Sequence, residues 1–180
     1  AKLLRYSIKG GEIMPLASEL EIIQCYLSIQ RLRFGDRIRA EFDVEESVKD
    51  LCIPRMCLQP LVENAVVHGL ESSIEPGMLS VVCRRDERSL WITVRDTGVG
   101  IDPEELPRIN RLLSNPFEKT PQQGSIGMLN VARRLHLSMG DDFSMQVASE
   151  RNRGTTVSLR IPLAKLEQKG AGADVSSSAG

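Results

Sequence analysis

The sequence predicts an α+β fold: a two-layer α/β sandwich in which a mixed, mostly antiparallel sheet of about five strands carries helices on one face. Three observations predict it. Period-two alternation at 39–44 and 90–95, together with strand-like stretches near 78–84, 144–149 and 155–161, gives about five strands. Between them lie stretches with apolar residues at i, i+3, i+4 and i+7, the signature of helices with one buried face. Several strands are separated by only a few polar residues, which favours hairpins over a doubly wound parallel sheet.

Residues 1–14 read as the end of a helix followed by a break at Gly10 and Gly11, as if the chain starts inside something larger. From Pro15 to Phe34 a helix is expected, with Pro15 in its first turn and Leu16, Leu20, Ile23 and Leu27 on one stripe, facing either its own domain or a partner subunit. Gly35 and Asp36 stop it. A strand at 39–44 leads through a polar connection, with Pro54 near a helix start, to LQPLVENAVVHGL at 58–70. In that stretch Leu58, Leu61, Val62, Ala65, Val66 and Leu70 form the buried face, while Asn64 and His68 share another; an ordinary core helix capped by Gly69 fits the same residues. Two strands joined through the polar turn 85–89 follow, the second with Leu90, Ile92 and Val94 on one face and Trp91, Thr93 and Arg95 on the other. A short helix over 103–113 is expected to begin at Pro103. Residues 114–124, with Pro116 and Pro121, suit a mobile loop. Gly124 to Gly140 reads as a glycine-rich entry into a helix with a glycine stop, before the last two strands. The organisation expected is a helical remnant at 1–35, a domain at 36–165 and a low-complexity, disordered tail at 166–180.

Bulk properties narrow the function. With 180 residues, 41% apolar, 26% charged and a net charge of −1, the chain lacks the clustered basic excess that nucleic acid or an anionic membrane surface requires. It has no bilayer-length apolar run and no signal-peptide core, so a soluble, cytoplasmic segment is expected. Cys25, Cys52, Cys57 and Cys83 form no CxxC pair and only His68 and His136 join them, which argues against zinc and against a disulfide framework.

Chemistry is concentrated in four places. An Asn amide oxygen such as that of Asn64 suits Mg²⁺ otherwise held by water and phosphates. Asp96-x-Gly98-x-Gly100 follows a strand, where a carboxylate can accept from the exocyclic amine of adenine and glycines allow close approach; a plain Asp-Thr-Gly turn fits it equally. Gly124-x-x-Gly127 opens a helix whose free amides suit phosphate, but it is neither a Walker A loop nor a Rossmann fingerprint. Thr155 and Thr156, after Gly154 at a strand start, could put hydroxyls near a base or simply favour the strand.

In this order, an Asn-bearing helix, DxGxG, a loop, GxxG and GTT, the sequence resembles the ATP-binding domain shared by histidine kinases, gyrase B, Hsp90 and MutL, with its Bergerat-type fold. The strings LRYS at 4–7, YLxIQxxRFGD at 26–36 and LQPLVENA at 58–65 are similar to the LytS/YesM type of bacterial sensor histidine kinase. The resemblance covers residues 2–163 and implies roles for matching positions. Asn64 would bind the Mg²⁺ that bridges the ATP phosphates, with Glu63 orienting a water or the ion. Asp96 would hold the adenine amine, with Gly98, Gly100 and Ile101 shaping that wall and Thr155 or Thr156 completing it. Residues 101–123 would form a lid with Gly124 and Gly127 as its phosphate-facing hinge, Ser125, Ile126 and Met128 would join them in binding the nucleotide, and His68 would lie by the ligand or serve only structure. Arg133 and Arg134 could help neutralise phosphate, while His136 reads as a surface or packing residue.

The resemblance further implies ATP and Mg²⁺ as cofactors and, as partners, a phosphoacceptor histidine domain of the same or a partner subunit and a response regulator. The parent would be a homodimeric protein of the bacterial cell membrane, with no direct membrane contact by this segment. The sequence departs from the pattern at Val67, where many members have Lys, and at Pro60, where gyrase and Hsp90-like ATPases place Glu. Neither His68 nor His136 sits in an acceptor context, so the acceptor histidine is expected outside this chain. An anti-sigma-type serine kinase and a non-catalytic nucleotide-binding scaffold are the alternatives.

Overall fold

The structure is a computed structural model that describes residues 13–118 and 126–167. The expectations for residues 1–12, for Gly124 and Ser125, for most of the loop between residues 114 and 124 and for the tail beyond 167 lie outside the described residues.

Strand β1 (Ile13–Pro15) runs directly into helix α1 (Leu16–Phe34), which ends at Gly35 with a φ of 61°. Strand β2 (Ile38–Val44) and a short strand β3 (Cys52–Pro54) follow. Helix α2 (Gln59–Asn64) continues as a π-helical segment (Ala65–Leu70). Then come β4 (Gly77–Arg85), β5 (Ser89–Asp96), α3 (Leu106–Ser114), α4 (Ile126–Met139), β6 (Ser144–Glu150) and β7 (Gly154–Pro162).

Five strands form one sheet in the order β2-β4-β5-β7-β6, and β1 pairs with β3 beside it. Every pairing in the large sheet is antiparallel except β2 with β4. A parallel pair cannot be closed by a hairpin and needs a crossover. Here the crossover carries α2 and its π-helical segment, which is how that helix comes to lie against the sheet.

The alternation expected of β5 is observed: Leu90, Ile92 and Val94 are buried while Trp91 is 43% exposed on the other face. The inner face of the sheet, with Leu79, Val81, Leu159 and Ile161, meets Leu61, Val62 and Val66 of the site helix and Leu135 of α4 in one core. Burying each such side chain contributes roughly 1.5–3 kcal/mol. On α1, Leu16, Leu20 and Ile23 enter this core and Leu27 is partly buried against it, whereas Ile29 and Leu32 further along are exposed. The first half of that helix therefore packs on its own domain. Leu166 is buried too, so the packed core runs through that residue.

Four local expectations are corrected. Pro15 closes strand β1, in which Ile13 and Met14 pair with β3 past the expected break, instead of opening α1 from within. Pro54 lies in β3, and Pro60 occupies the early helical position. Helix α3 starts at Leu106 with Pro107 in its first turn, because Pro103 falls in the preceding turns. Gly69 lies inside the π-helical segment rather than capping a helix.

Ile92→Ala should lower the free energy of unfolding by about 2–5 kcal/mol in urea denaturation, the range for emptying a fully buried site. A loss below about 1 kcal/mol would contradict the assigned core.

Candidate functional site

Asn64 is the last residue of α2, and the helix changes pitch immediately after it. The Glu71 N–H reaches the Val66 carbonyl at 2.8 Å, a bond spanning five residues. Such π-helical turns are short and tend to occur at functional sites. This one brings His68, Gly69 and Asn64 to the same cavity wall. The Asn64 side chain ends in a buried amide whose Nδ2 has no hydrogen-bond partner among the described residues. Which of the two amide atoms is the oxygen is set by its partners, so the observation is an unsatisfied polar head aimed at a cavity. A buried polar group left unpaired costs about 1–3 kcal/mol, which a ligand would recover.

Gly127, near the start of α4, faces that amide. A Cβ placed on it would sit 2.6 Å from Asn64 Nδ2 and 2.9 Å from Oδ1. Only glycine leaves the amide where it is.

Asp96 forms the opposite wall at the end of β5, 3% exposed. Its Oδ1 accepts the Gly98 N–H at 2.8 Å, and the Thr155 N–H reaches the same carboxylate. Burial raises its pKa above the ordinary carboxylate value, while the bonds from Gly98, Thr155 and its own main chain act in the opposite direction. Gly69 makes room for it, since a Cβ there would lie 2.6 Å from Asp96 Oδ1. Gly98 packs on the Gly69 backbone, and the Val99 N–H donates to the Gly69 carbonyl at 3.1 Å. The loop after β5 is thereby bonded to the site helix.

Between these walls lies a cavity of about 250 Å³ lined by Asn64, His68, Asp96, Gly100, Ile101, Met128 and Thr155, all singled out from the sequence. That is close to the lower end of the ~300–1,000 Å³ of small-molecule sites. Gly98 and Gly127 act one step back, through the contacts above. Two expected residues point elsewhere. The Glu63 carboxylate accepts from Gln59 Nε2 at 2.7 Å and does not line the cavity. Thr156 alternates with Thr155 along β7 and is absent from the cavity wall. For Ile126 the backbone is helical.

Arg133 is occupied as well, donating through Nε to the Pro116 carbonyl at 2.7 Å. His136 lies 2.9 Å from Asp141 and against the Phe117 ring. Val67 is exposed at 44%.

Sequence reasoning missed several contributors. Asp102, Glu105 and Ile109 line the cavity from the approach to α3 and from its body. Ser149 accepts the Ile101 N–H at 2.8 Å and donates to the Gly154 carbonyl, tying the DxGxG loop to the β6–β7 turn. Glu19 is 1% exposed on α1, and its carboxylate accepts the Leu58 and Gln59 N–H groups at 2.8 and 3.2 Å. Its position was visible in principle, because residue 19 falls on the stripe of Leu16, Leu20 and Ile23.

The donor set fits Mg²⁺ carried in on a phosphate chain. The amide supplies one neutral oxygen beside the cavity. Among the described residues no three His, Cys, Asp or Glu side chains converge to hold a metal. An ion here would take most ligands from water and phosphate, the usual Mg²⁺ arrangement.

Residues 53–165 match the family described as histidine kinase-, DNA gyrase B- and HSP90-like ATPases, and residues 1–38 match that of histidine kinases. The chain belongs to this family of ATPases. Sensor histidine kinase YesM of Bacillus subtilis (strain 168) is 34% identical over 161 residues, which are 89% of this chain and 26% of YesM. YpdA of Escherichia coli (strain K12), also a sensor histidine kinase, is 34% identical over 165 residues, or 90% and 27%. The chain thus spans about a quarter of these relatives. Together with sensor protein LytS of B. subtilis, 29% identical over 166 residues, they make it an ATP-binding catalytic domain of the LytS/YesM type of sensor histidine kinase. The histidine kinase domain of the Erythrobacter litoralis EL346 blue-light activated kinase shares the fold, with a TM-score of 0.60 at 18% identity over 88% of this chain and 65% of that one.

Gly127→Ala should leave the fold within about 1 kcal/mol of its native stability, any helix-propensity gain of Ala over Gly being offset by displacement of the Asn64 amide. It should weaken ATP binding on the order of 10-fold by pushing the Asn64 amide aside. Calorimetry and a melting curve check both, and unchanged affinity would contradict the assigned contact.

Proposed function

We propose that the cavity binds Mg²⁺·ATP and presents the γ-phosphate to a histidine of a phosphoacceptor domain, in the same or a partner subunit, for relay to a response regulator. The observation that carries this is the pairing of an unsatisfied buried amide at Asn64 with a buried carboxylate at Asp96 across one cavity. Asp96 accepts from the exocyclic amine of adenine, an interaction guanine cannot offer at that place, worth on the order of 1.5–3 kcal/mol. Ile101, Met128, Ala65 and Val94 supply apolar wall for the base, and Thr155 closes its polar side. Asn64 would hold Mg²⁺ through its amide oxygen, and the ion when bound neutralises charge on the phosphates. The chain's own residues then position the nucleotide so that an acceptor imidazole nitrogen attacks the γ-phosphorus in line and the bond to the ADP oxygen breaks.

The reading takes residues 1–35 as the junction with the dimerisation and phosphoacceptor region and residues 36–165 as the kinase domain. It takes the longer protein as a homodimeric sensor of the bacterial cell membrane. The names of YesM, YpdA and LytS and the histidine kinase match at residues 1–38 support it over a serine kinase of the same fold. No described helix is long and apolar enough to cross a membrane. Because the Glu63 carboxylate is engaged by Gln59 and does not line the cavity, we assign it no part in orienting a water or the ion in this state.

The chain incubated with γ-labelled ATP should acquire no stoichiometric acid-labile label, and should label a supplied LytS/YesM-type phosphoacceptor region, a transfer that Asn64→Ala abolishes. Stoichiometric self-labelling, or full transfer by Asn64→Ala, would contradict the proposal.

The raised pKa of Asp96 sets a pH dependence. The amine is accepted by the ionised carboxylate, so affinity for adenosine should fall as pH drops through a folded pKa above the ordinary Asp value of about 3.9. Calorimetry between about pH 4 and 7 should trace this decline in the native chain, and Asp96→Asn should bind roughly 10–100-fold more weakly with the decline gone. A native affinity flat across that range would contradict the role.

A further inference from the structure

Helix α2 begins without a cap of its own. Its N-cap residue is Leu58, which has no polar side chain, and no side-chain cap bond is made there. The first N–H groups of a helix lack intrahelical acceptors and need one from elsewhere. It comes from another helix: Oε1 of Glu19 on α1 accepts both the Leu58 and Gln59 N–H groups, and Oε2 lies 3.8 Å from the Cys57 Sγ. Met56, a non-glycine residue with a φ of 56°, turns the chain just before these donors.

A carboxylate is costly to bury unless it is hydrogen-bonded, and Glu19 is 1% exposed on a stripe that Leu16, Leu20 and Ile23 otherwise fill. Filling space would be better served by Leu at that place. Its carboxylate works at the far end, where it holds the start of the short helix that ends in Asn64. The α1 segment is itself bonded to the chain before α2 through Leu16 N–H to the Leu51 carbonyl and Ala17 N–H to that of Lys49, both at 2.9 Å.

We propose that Glu19 is a positioning residue for the nucleotide site: by holding the Leu58 and Gln59 amides it fixes where α2 begins, and so where Asn64 meets the ion-bearing phosphates. It thereby makes α1 the element through which a displacement upstream reaches Asn64. This rests on the reading of Asn64 given above. The polar adenine contacts come from Asp96 at the end of β5 and Thr155 of β7, further from Glu19 along the site than Asn64, so loss of the Glu19 carboxylate should bear more on the ion end than on the base end.

The test is the affinity for ATP by calorimetry with Mg²⁺ and with chelator, in the whole chain and in Glu19→Ala and Glu19→Gln, each checked by melting. The expected result for Glu19→Ala is an Mg²⁺ enhancement reduced about 10-fold, as for residues that orient a metal ligand, with Mg²⁺-free affinity kept within about 2-fold. Glu19→Gln still offers an acceptor, though an uncharged and weaker one, and should lose only about 3-fold of the enhancement. Equal loss of both affinities in a folded Glu19→Ala protein, or no loss of either, overturns the proposal. If Glu19→Ala does not fold, Glu19→Gln decides, and an undiminished enhancement there overturns it. A native chain with no Mg²⁺ enhancement would instead strike the reading of Asn64, and the proposal with it.

Discussion

The site depends on one close approach, the contact of the helix carrying Asn64 with the loop that follows β5. Gly98 lies against the Gly69 backbone, Val99 donates to the Gly69 carbonyl, and the Asp96 carboxylate occupies the space a side chain at residue 69 would take. Two backbones can be this close only where neither carries a Cβ. The contact sets the distance between the amide at one end of the cavity and the carboxylate at the other. The π-helical turn belongs to the same constraint, because it alters the pitch between Asn64 and Gly69 so that both face inward.

The two buried carboxylates among the described residues are handled alike. Neither Asp96 nor Glu19 is neutralised chiefly by a cation; each is held by main-chain N–H groups, and burial raises the pKa of both. Main-chain donors at a loop or helix start are fixed by the fold, so such carboxylates cannot wander as an exposed ion pair does. The difference is what remains unsatisfied. Asp96 lines a cavity and keeps acceptor capacity for a ligand, whereas Glu19 is enclosed between two helices and the turn before one of them.

Much of this was legible in the sequence because it follows from periodicity. The inward faces of β5 and α1 and the glycine stop at Gly140, with its φ of 69°, came from spacing alone. The order of Asn64, Asp96, Gly127 and Thr155 along the chain anticipated residues that the fold brings to one cavity or its edge. Thr156 could have been set aside by the same period-two rule, since Val157, Leu159 and Ile161 face inward and Thr155 shares their side. What escaped notice depends on tertiary context. Nothing local announces a π-helical turn, a Gln59 side chain that draws Glu63 away, or a carboxylate of α1 that caps a helix about 40 residues on. Proline misled the reading of helix starts, because it also suits a short strand such as β3 and the turn before α3.

The central claim is that one amide and one carboxylate hold the two ends of Mg²⁺·ATP across a cavity set by the meeting of Gly69 and Gly98. A crystal structure with Mg²⁺ and a non-hydrolysable ATP analogue tests it most directly. The Asn64 amide oxygen should be among the ligands of the ion at about 2.1 Å and the adenine amine should lie on the Asp96 carboxylate. An ion coordinated without Asn64, or a base seated away from Asp96, would contradict it.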